Sequence, residues 1–263
     1  MIFASFRIAA VSAAALLATA AFAQTAAPAA EASPLSFNLS LTSNYKFRGQ
    51  DQDQSKTRML KPALQGGIDY AHSSGFYVGN WNSTIDWTRY LPSGNNSRVE
   101  VDVYGGYKFK AGPVDLDVGA LAYLYPSASG ANTTELYVGG AIGPVSAKYF
   151  RTVSKGYFGL GKEYLIGEGK GTNYFTVALA QEIAPSTTFK ASLGFTDFNS
   201  SANAAGLPDY TDYSVGASYD FGSGLALSGA FVGGNKKPNY PFVIDTSKSI
   251  NQNVFLVTLT KSL

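Results

Sequence analysis

Cysteine is absent, and histidine occurs once among 263 residues. Without thiols the chain has no disulfide framework and no cysteine-based metal site. With a single imidazole, acid–base chemistry narrows to His72 and its neighbours Ser73 and Ser74. A turn histidine beside serines is ordinarily solvated, and a working base also needs an orienting partner, so no catalysis is expected. Charge is scarce as well. Asp, Glu, Lys and Arg make up 14% of the chain and leave a net charge of +2, too little to suggest a nucleic-acid partner. Mean hydropathy near zero argues against both a helical membrane protein and a disordered chain. No stretch keeps a helical period for long.

The one long apolar run stands at the start. Arg7 gives a basic beginning, Ile8–Phe22 is rich in Ala and Leu, and Ala21-Phe22-Ala23 forms a small-x-small cleavage site. The run is shorter than the roughly 20 residues of a spanning helix, so residues 1–23 are expected to be a cleaved signal peptide. Residues 24–34, rich in Ala and Pro, are expected to be a flexible leader.

What is abundant is aromatic residues, at 14%, glycine, with 28, and period-two alternation. In Ser36–Arg48, the residues Phe37, Leu39, Leu41, Tyr45 and Phe47 share one parity. Ser36, Asn38, Ser40, Thr42, Asn44, Lys46 and Arg48 share the other. Side chains of a strand alternate between faces, so this stretch has an oily face and a wet one. A soluble sandwich alternates over a few residues; here the pattern runs for thirteen, enough to cross a bilayer. It recurs in about twelve segments. Tyr77, Gly79 and Trp81 oppose Asn80 and Asn82; Val99, Val101 and Val103 oppose Glu100, Asp102 and Tyr104. Leu136 and Val138 oppose Glu135 and Tyr137.

The connections alternate between long and short. Gly49–Lys61, Thr88–Ser97 and Thr152–Gly171 are long and polar, whereas His72–Gly75, Lys110–Pro113, Gly143-Pro144 and Gly222–Gly224 are tight. Short periplasmic turns, long external loops and an even strand number belong to outer-membrane barrels. An open sheet edge in hydrocarbon would leave peptide groups unpaired at several kcal/mol each, so the first segment should pair with the last. The expected fold is all-β: one closed antiparallel transmembrane β-barrel of about 12 strands over residues 35–263, both termini periplasmic. Oily side chains should face lipid. The pairs Tyr45 and Phe47, Tyr107 and Phe109, and Tyr219 and Phe221 should form interfacial girdles.

Three blocks carry a family resemblance: Ser43-Asn44-Tyr45-Lys46-Phe47-Arg48-Gly49-Gln50, then Pro62–Tyr70, then Ser74–Trp81. In that order and spacing the chain resembles the proteobacterial TorF porin family. The blocks cover the first third of the mature chain, and later strands match in style only. The resemblance implies an outer-membrane barrel of largely unassigned function and brings no catalytic residues. The chain departs from the usual barrel pattern in ending on Leu263 rather than an aromatic residue.

The wet parity defines a lumen. Its expected lining is Lys46, Arg48, Asp69, Asp86, Glu100, Asp102, Lys108, Asp115, Asp117, Glu135, Lys148, Glu182, Lys190, Asp212 and Asp220. Carboxylates outnumber cations there, and carboxylate rings favour cations. The expected function is passive diffusion of small hydrophilic solutes or ions across the outer membrane, with weak cation preference. The loop after Tyr149 should narrow the pore. The alternative is a non-conducting barrel with a structural or surface-binding role, its lumen plugged by Lys–Asp pairs. Asp51 and Asp53 lack the fixed Gly and terminal Glu of a Ca²⁺ loop, so no metal or cofactor is expected. Basic loop residues such as Lys56, Arg58, Lys61, Arg89, Arg98 and Lys155 suit lipopolysaccharide phosphates as partners.

Overall fold

The protein is seen in a computed structural model that describes residues 33–54, 59–162 and 168–263. The expected signal peptide and most of the leader lie outside the described residues. Pro34 is already tied to the wall, its carbonyl accepting from the Ala71 N–H at 2.8 Å.

The strands are β1 (Leu35–Thr42), β2 (Lys46–Phe47), β3 (Gln50–Asp51), β4 (Ala63–Ala71), β5 (Phe76–Thr84), β6 (Val99–Ala111) and β7 (Val114–Leu124). They continue as β8 (Thr133–Ile142), β9 (Val145–Thr152), β10 (Asn173–Ala184), β11 (Thr187–Asp197), β12 (Tyr210–Gly222), β13 (Leu225–Gly234) and β14 (Val254–Ser262). All but β2 and β3 form one closed antiparallel barrel of twelve strands. Closure comes from β1, which pairs with β14 on one side, Asn38 opposite Ser262, and with β4 on the other, Leu35 opposite Tyr70. No backbone edge is left to lipid, as the cost of unpaired peptide groups requires.

Short turns and both ends of the described chain share one rim; the long connections share the other. At the turn from β8 to β9, Gly143 takes φ 56°, a left-handed conformation open to glycine at no steric cost, and Pro144 follows. The outer surface is oily: Phe37, Leu39, Leu41, Leu64, Leu136, Val138, Leu193 and Phe255 are all exposed. Two girdle pairs stand at the short-turn rim. Tyr107 packs with Phe109 and Phe76, and Tyr219 with Phe221.

Two expectations are corrected. β1 stops at Thr42, and Tyr45 and Phe47 are buried inside the barrel, at 9% and 7% exposure, rather than forming a girdle. The alternation of residues 43–48 belongs to a hairpin in the lumen, and parity looks the same in either place. The second correction concerns β5. Tyr77, Gly79, Trp81 and Ser83 point inward, leaving Asn80 and Asn82 on the outside. Asn80 stands opposite Ile68 and Val103, both lipid-facing, so the register of its neighbours decides the face that β5 presents.

Candidate functional site

The lumen has two unlike walls. Along β4–β9 several inward side chains are large, and some cross a glycine to reach a carboxylate beyond it. Tyr104 on β6 lies over Gly79 on β5 and donates to Asp69 on β4 at 2.5 Å. Tyr77 on β5 lies over Gly106 and donates to Asp117 on β7 at 2.6 Å. Lys148 on β9 spans Gly139 and meets the same Asp117 at 2.7 Å. Tyr137 lies over Gly119, and its hydroxyl meets that of Tyr77. Tyr174 on β10, at the seam, repeats the device over Gly194 to Asp212 on β12 at 3.2 Å. The glycines are needed: a Cβ at Gly79 would stand 2.4 Å from the Tyr104 ring. The struts that end on Asp69, Asp117 and Asp212 each tie three adjacent strands and give a buried or half-buried carboxylate a donor, which is what burial of a polar group demands.

Along β11–β14 and β1 most half-exposed inward residues are small: Ser192, Gly216, Ser218, Ser228, Ala230, Thr258, Asn38 and Ser40, with Leu256 the large exception. One cation, Lys190, stands among them, and neither it nor Lys108 joins an ion pair among the described residues.

At the long-loop end both walls are covered. The chain after β1 folds inward as the hairpin β2–β3, Lys46 opposite Asp51, turning on Arg48 (φ 46°) and Gly49 (φ 76°). Gly49 packs against the far wall; a Cβ there would stand 2.7 Å from the Asp212 Cβ and 2.8 Å from the Gly233 carbonyl oxygen. Arg48 points to the opposite side and grips Glu135 of β8 through both terminal nitrogens, at 3.0 and 2.6 Å. Both side chains are buried, at 0% and 1% exposure. The guanidinium also meets the Tyr157 hydroxyl at 3.3 Å and lies 4.1 Å from the Tyr174 ring centre. Glu135 accepts in addition from Tyr123 and Thr152.

Other groups seat the hairpin. Lys46 donates to the carbonyls of Gly49, Ile250 and Gln252 at 3.2, 2.7 and 2.8 Å. Asp51 pairs with Lys61 at 2.5 Å and accepts from Asn44. Burial pushes the Lys46 ammonium down to about 7 and the Asp51 carboxyl up, each opposed by the other's charge. Tyr45 donates to Glu100, which also accepts from Tyr125, at 3.1 and 3.2 Å. Phe47 packs on Tyr123 and on Phe158 of the β9–β10 loop.

The structure therefore sorts the residues expected to line a pore. Lys46 and Arg48 sit on the inward hairpin, off the wall. Glu100, Asp102 and Glu135 are buried beneath it, and Asp102 Oδ1 has no hydrogen-bond partner among the described residues. Asp86 lies beyond β5, paired with Arg89 and Arg98 at the long-loop rim. Asp69, Asp117, Lys148 and Asp212 are held in the struts, and Lys110 holds Asp115 at 2.5 Å. Lys108, Glu182, Lys190 and Asp220 remain toward the short-turn end. The element that fills the long-loop end is the first long connection, whose Arg48 crosses the lumen to Glu135, with Tyr157 and Phe158 of the loop after Tyr149 packed on it. Lys61 is buried rather than on a basic surface; Lys56 and Arg58 fall outside the described residues. His72 Nδ1 stands 2.7 Å from Ser74 Oγ in an exposed turn. Sequence reasoning missed the struts, although Tyr104, Tyr137 and Tyr174 on the wet parity were their visible trace.

The model of a family described as a bacterial protein of unknown function (Gcw_chp) matches residues 26–263. No curated protein matches the chain significantly in sequence. Among solved structures, the KdgM porin is similar at TM-score 0.51 and 11% identity, over 87% of this chain and 98% of that one. Its complex with disordered oligogalacturonate gives the same values. The NanC porin compares at TM-score 0.49 and 10% identity, over 87% of this chain and 97% of that one. At such identity the likeness to KdgM is one of fold.

Proposed function

The chain belongs to the Gcw_chp family of bacterial proteins of unknown function, and from that premise we propose that it is a porin-like channel of the outer membrane. Its long loops face outward and its chain ends lie in the periplasm. Small hydrophilic solutes and ions diffuse along the small-residue wall of β11–β14 and β1, and the Arg48 hairpin closes the long-loop end until it is displaced. The observation that carries this reading is the half-exposed Ser, Thr, Ala and Gly lining opposite a filled wall, inside a barrel whose outer face is oily. The fold shared with the KdgM porin and the resemblance to the TorF porins support the same reading.

Cations are weakly preferred, since Asp69, Asp117, Glu182, Asp212 and Asp220 outnumber Lys108, Lys148 and Lys190 on the inward strand faces. A polyanion such as the oligogalacturonate found with KdgM is therefore not the proposed solute. Arg89, Arg98 and Lys155 at the long-loop rim suit lipopolysaccharide phosphates. Purified protein in planar bilayers should give stepwise conductance, with a reversal potential in a KCl gradient of the cation-selective sign. A second reading, a non-conducting barrel, is favoured by the buried Arg48–Glu135 pair. Silence that persists after deletion of residues 45–52 would establish that second reading.

A further inference from the structure

The outer wall holds two amides at the middle of its span. Among the described residues, polar side chains on the lipid-facing parity otherwise stand near strand ends, as Arg151, Asn173, Asp197 and Lys261 do. Asn80 is the fifth residue of the nine in β5, and Asn82 follows on the same face. Asn82 Nδ2 donates to Asn80 Oδ1 at 2.6 Å and reaches the Gly66 carbonyl at 3.4 Å; Asn80 Nδ2 donates to the Asp102 carbonyl at 3.0 Å. Asn82 Oδ1 is left with one contact of 3.5 Å, at the limit of a hydrogen bond. A polar group in hydrocarbon is costly, and one that keeps acceptor capacity there calls for a partner.

Small residues flank the amides, as they do elsewhere on the outer wall, where Ala217 stands opposite Gly229 and Gly140 opposite Ala147, but among the described residues only here do they adjoin mid-strand amides. Gly66 lies beside Asn82, Gly105 beside Val78, and Ala120 and Ala122 stand in the next strand, opposite Gly105 and Val103. Gly105, Ala120 and Ala122 line a shallow groove with Val78, Val103 and Thr134, next to the amides but not including them. On the far side of the barrel the corresponding surface carries exposed Leu193, Phe195, Phe231, Phe255 and Val257. Small residues let two walls approach closely in a membrane, and polar side chains across such a contact hold them together.

We propose that the Asn80–Asn82 face of β4–β8 is where a second copy of this chain docks, related by a two-fold axis through the amides. An acyl chain has nothing to offer an amide, and lipid headgroups sit away from the middle of a strand. An amide carries both donor and acceptor, so the same face turned through a two-fold axis is its own complement. The proposal rests on the membrane-spanning reading but is independent of conduction.

The chain has no cysteine, so one introduced thiol is unique. Val103→Cys and Ala120→Cys, treated in native outer membranes with a short bis-maleimide, should give a covalent dimer, and Val257→Cys on the far wall should not. Adding Asn80→Leu with Asn82→Leu to Val103→Cys should abolish the dimer while the heat-modifiable barrel band and the conductance steps persist. A heat-modifiable barrel without dimers from the groove positions overturns the interface and leaves the channel reading standing. Equal dimer from Val257→Cys overturns it as well. So does a lipid that co-purifies with monomer and is lost in the leucine variant. Dimers in a protein that stays silent even after deletion of residues 45–52 uphold the interface and remove the channel.

Discussion

The two walls of one lumen differ in what their inward residues can do. On β4–β9 every large side chain is committed to a carboxylate, a ring or the hairpin, so that wall is closed-packed and rigid. On β11–β14 and β1 most side chains are too short to reach across, and the space they leave is the path we propose for solutes. A barrel of twelve strands stands between eight, filled by its own side chains, and the 16–18 of water-filled porins. This one meets that intermediate size by filling one side and lining the other mainly with short side chains, with a single hairpin bridging both at the long-loop end.

The largest expected effect comes from breaking the bridge. Glu135→Ala leaves Arg48 as an uncompensated buried charge, a loss of about 3–5 kcal/mol from hairpin seating. Single-channel recording should then show longer and larger openings than in the parent; an unchanged record would mean that the occlusion lies elsewhere. Next is a test of the strut at the seam. A Cβ at Gly194 would stand 2.1 Å from the Tyr174 hydroxyl oxygen and 2.4 Å from Asp212 Oδ2. Gly194→Ala should cost about 1–3 kcal/mol in urea unfolding from lipid vesicles. Ser192→Ala, two residues away on the small wall, should stay within about 0.5 kcal/mol. Equal losses at both positions would erase the distinction between strut-bearing and open parts of the lumen.

Lys190→Glu tests the open path. It reverses the one cation on the small wall, so the reversal potential should move toward cations with little change in unfolding. The smallest effect is that of pH on the hairpin. Seating lowers the Lys46 ammonium to about 7, so the seated state holds fewer protons there, and rising pH favours it between about 7 and about 10.4. Asp51, Lys61 and Lys237 face that ammonium, and the raised Asp51 acts in the opposite sense at acid pH. Open probability should decline from pH 7 upward, and Lys46→Met should flatten that decline.

Much of the barrel was legible because its signals are local. Leu39, Leu64 and Val138 reveal their faces through their nearest neighbours, and a bilayer punishes any exception. Tyr45 and Phe47 were misplaced because alternation is blind to whether a strand is in the wall or inside it. Trp81 and Asn82 were misplaced because β5 takes its face from hydrogen-bonded neighbours, and an amide outside can be tolerated where another group meets it. The struts left only a trace, the wet-parity Tyr104, Tyr137 and Tyr174. Gly79 and Asp69 look like ordinary strand residues until the register sets Tyr104 above them.

The linear pattern alone determined that this chain closes on itself, since hydrocarbon leaves no solvent for an unpaired peptide and the spans and connections are written residue by residue. Only the tertiary structure decided which part of the interior is filled. Arg48 meets Glu135 across 87 positions of chain, and no short-range rule says which residues will face each other across a closed cylinder.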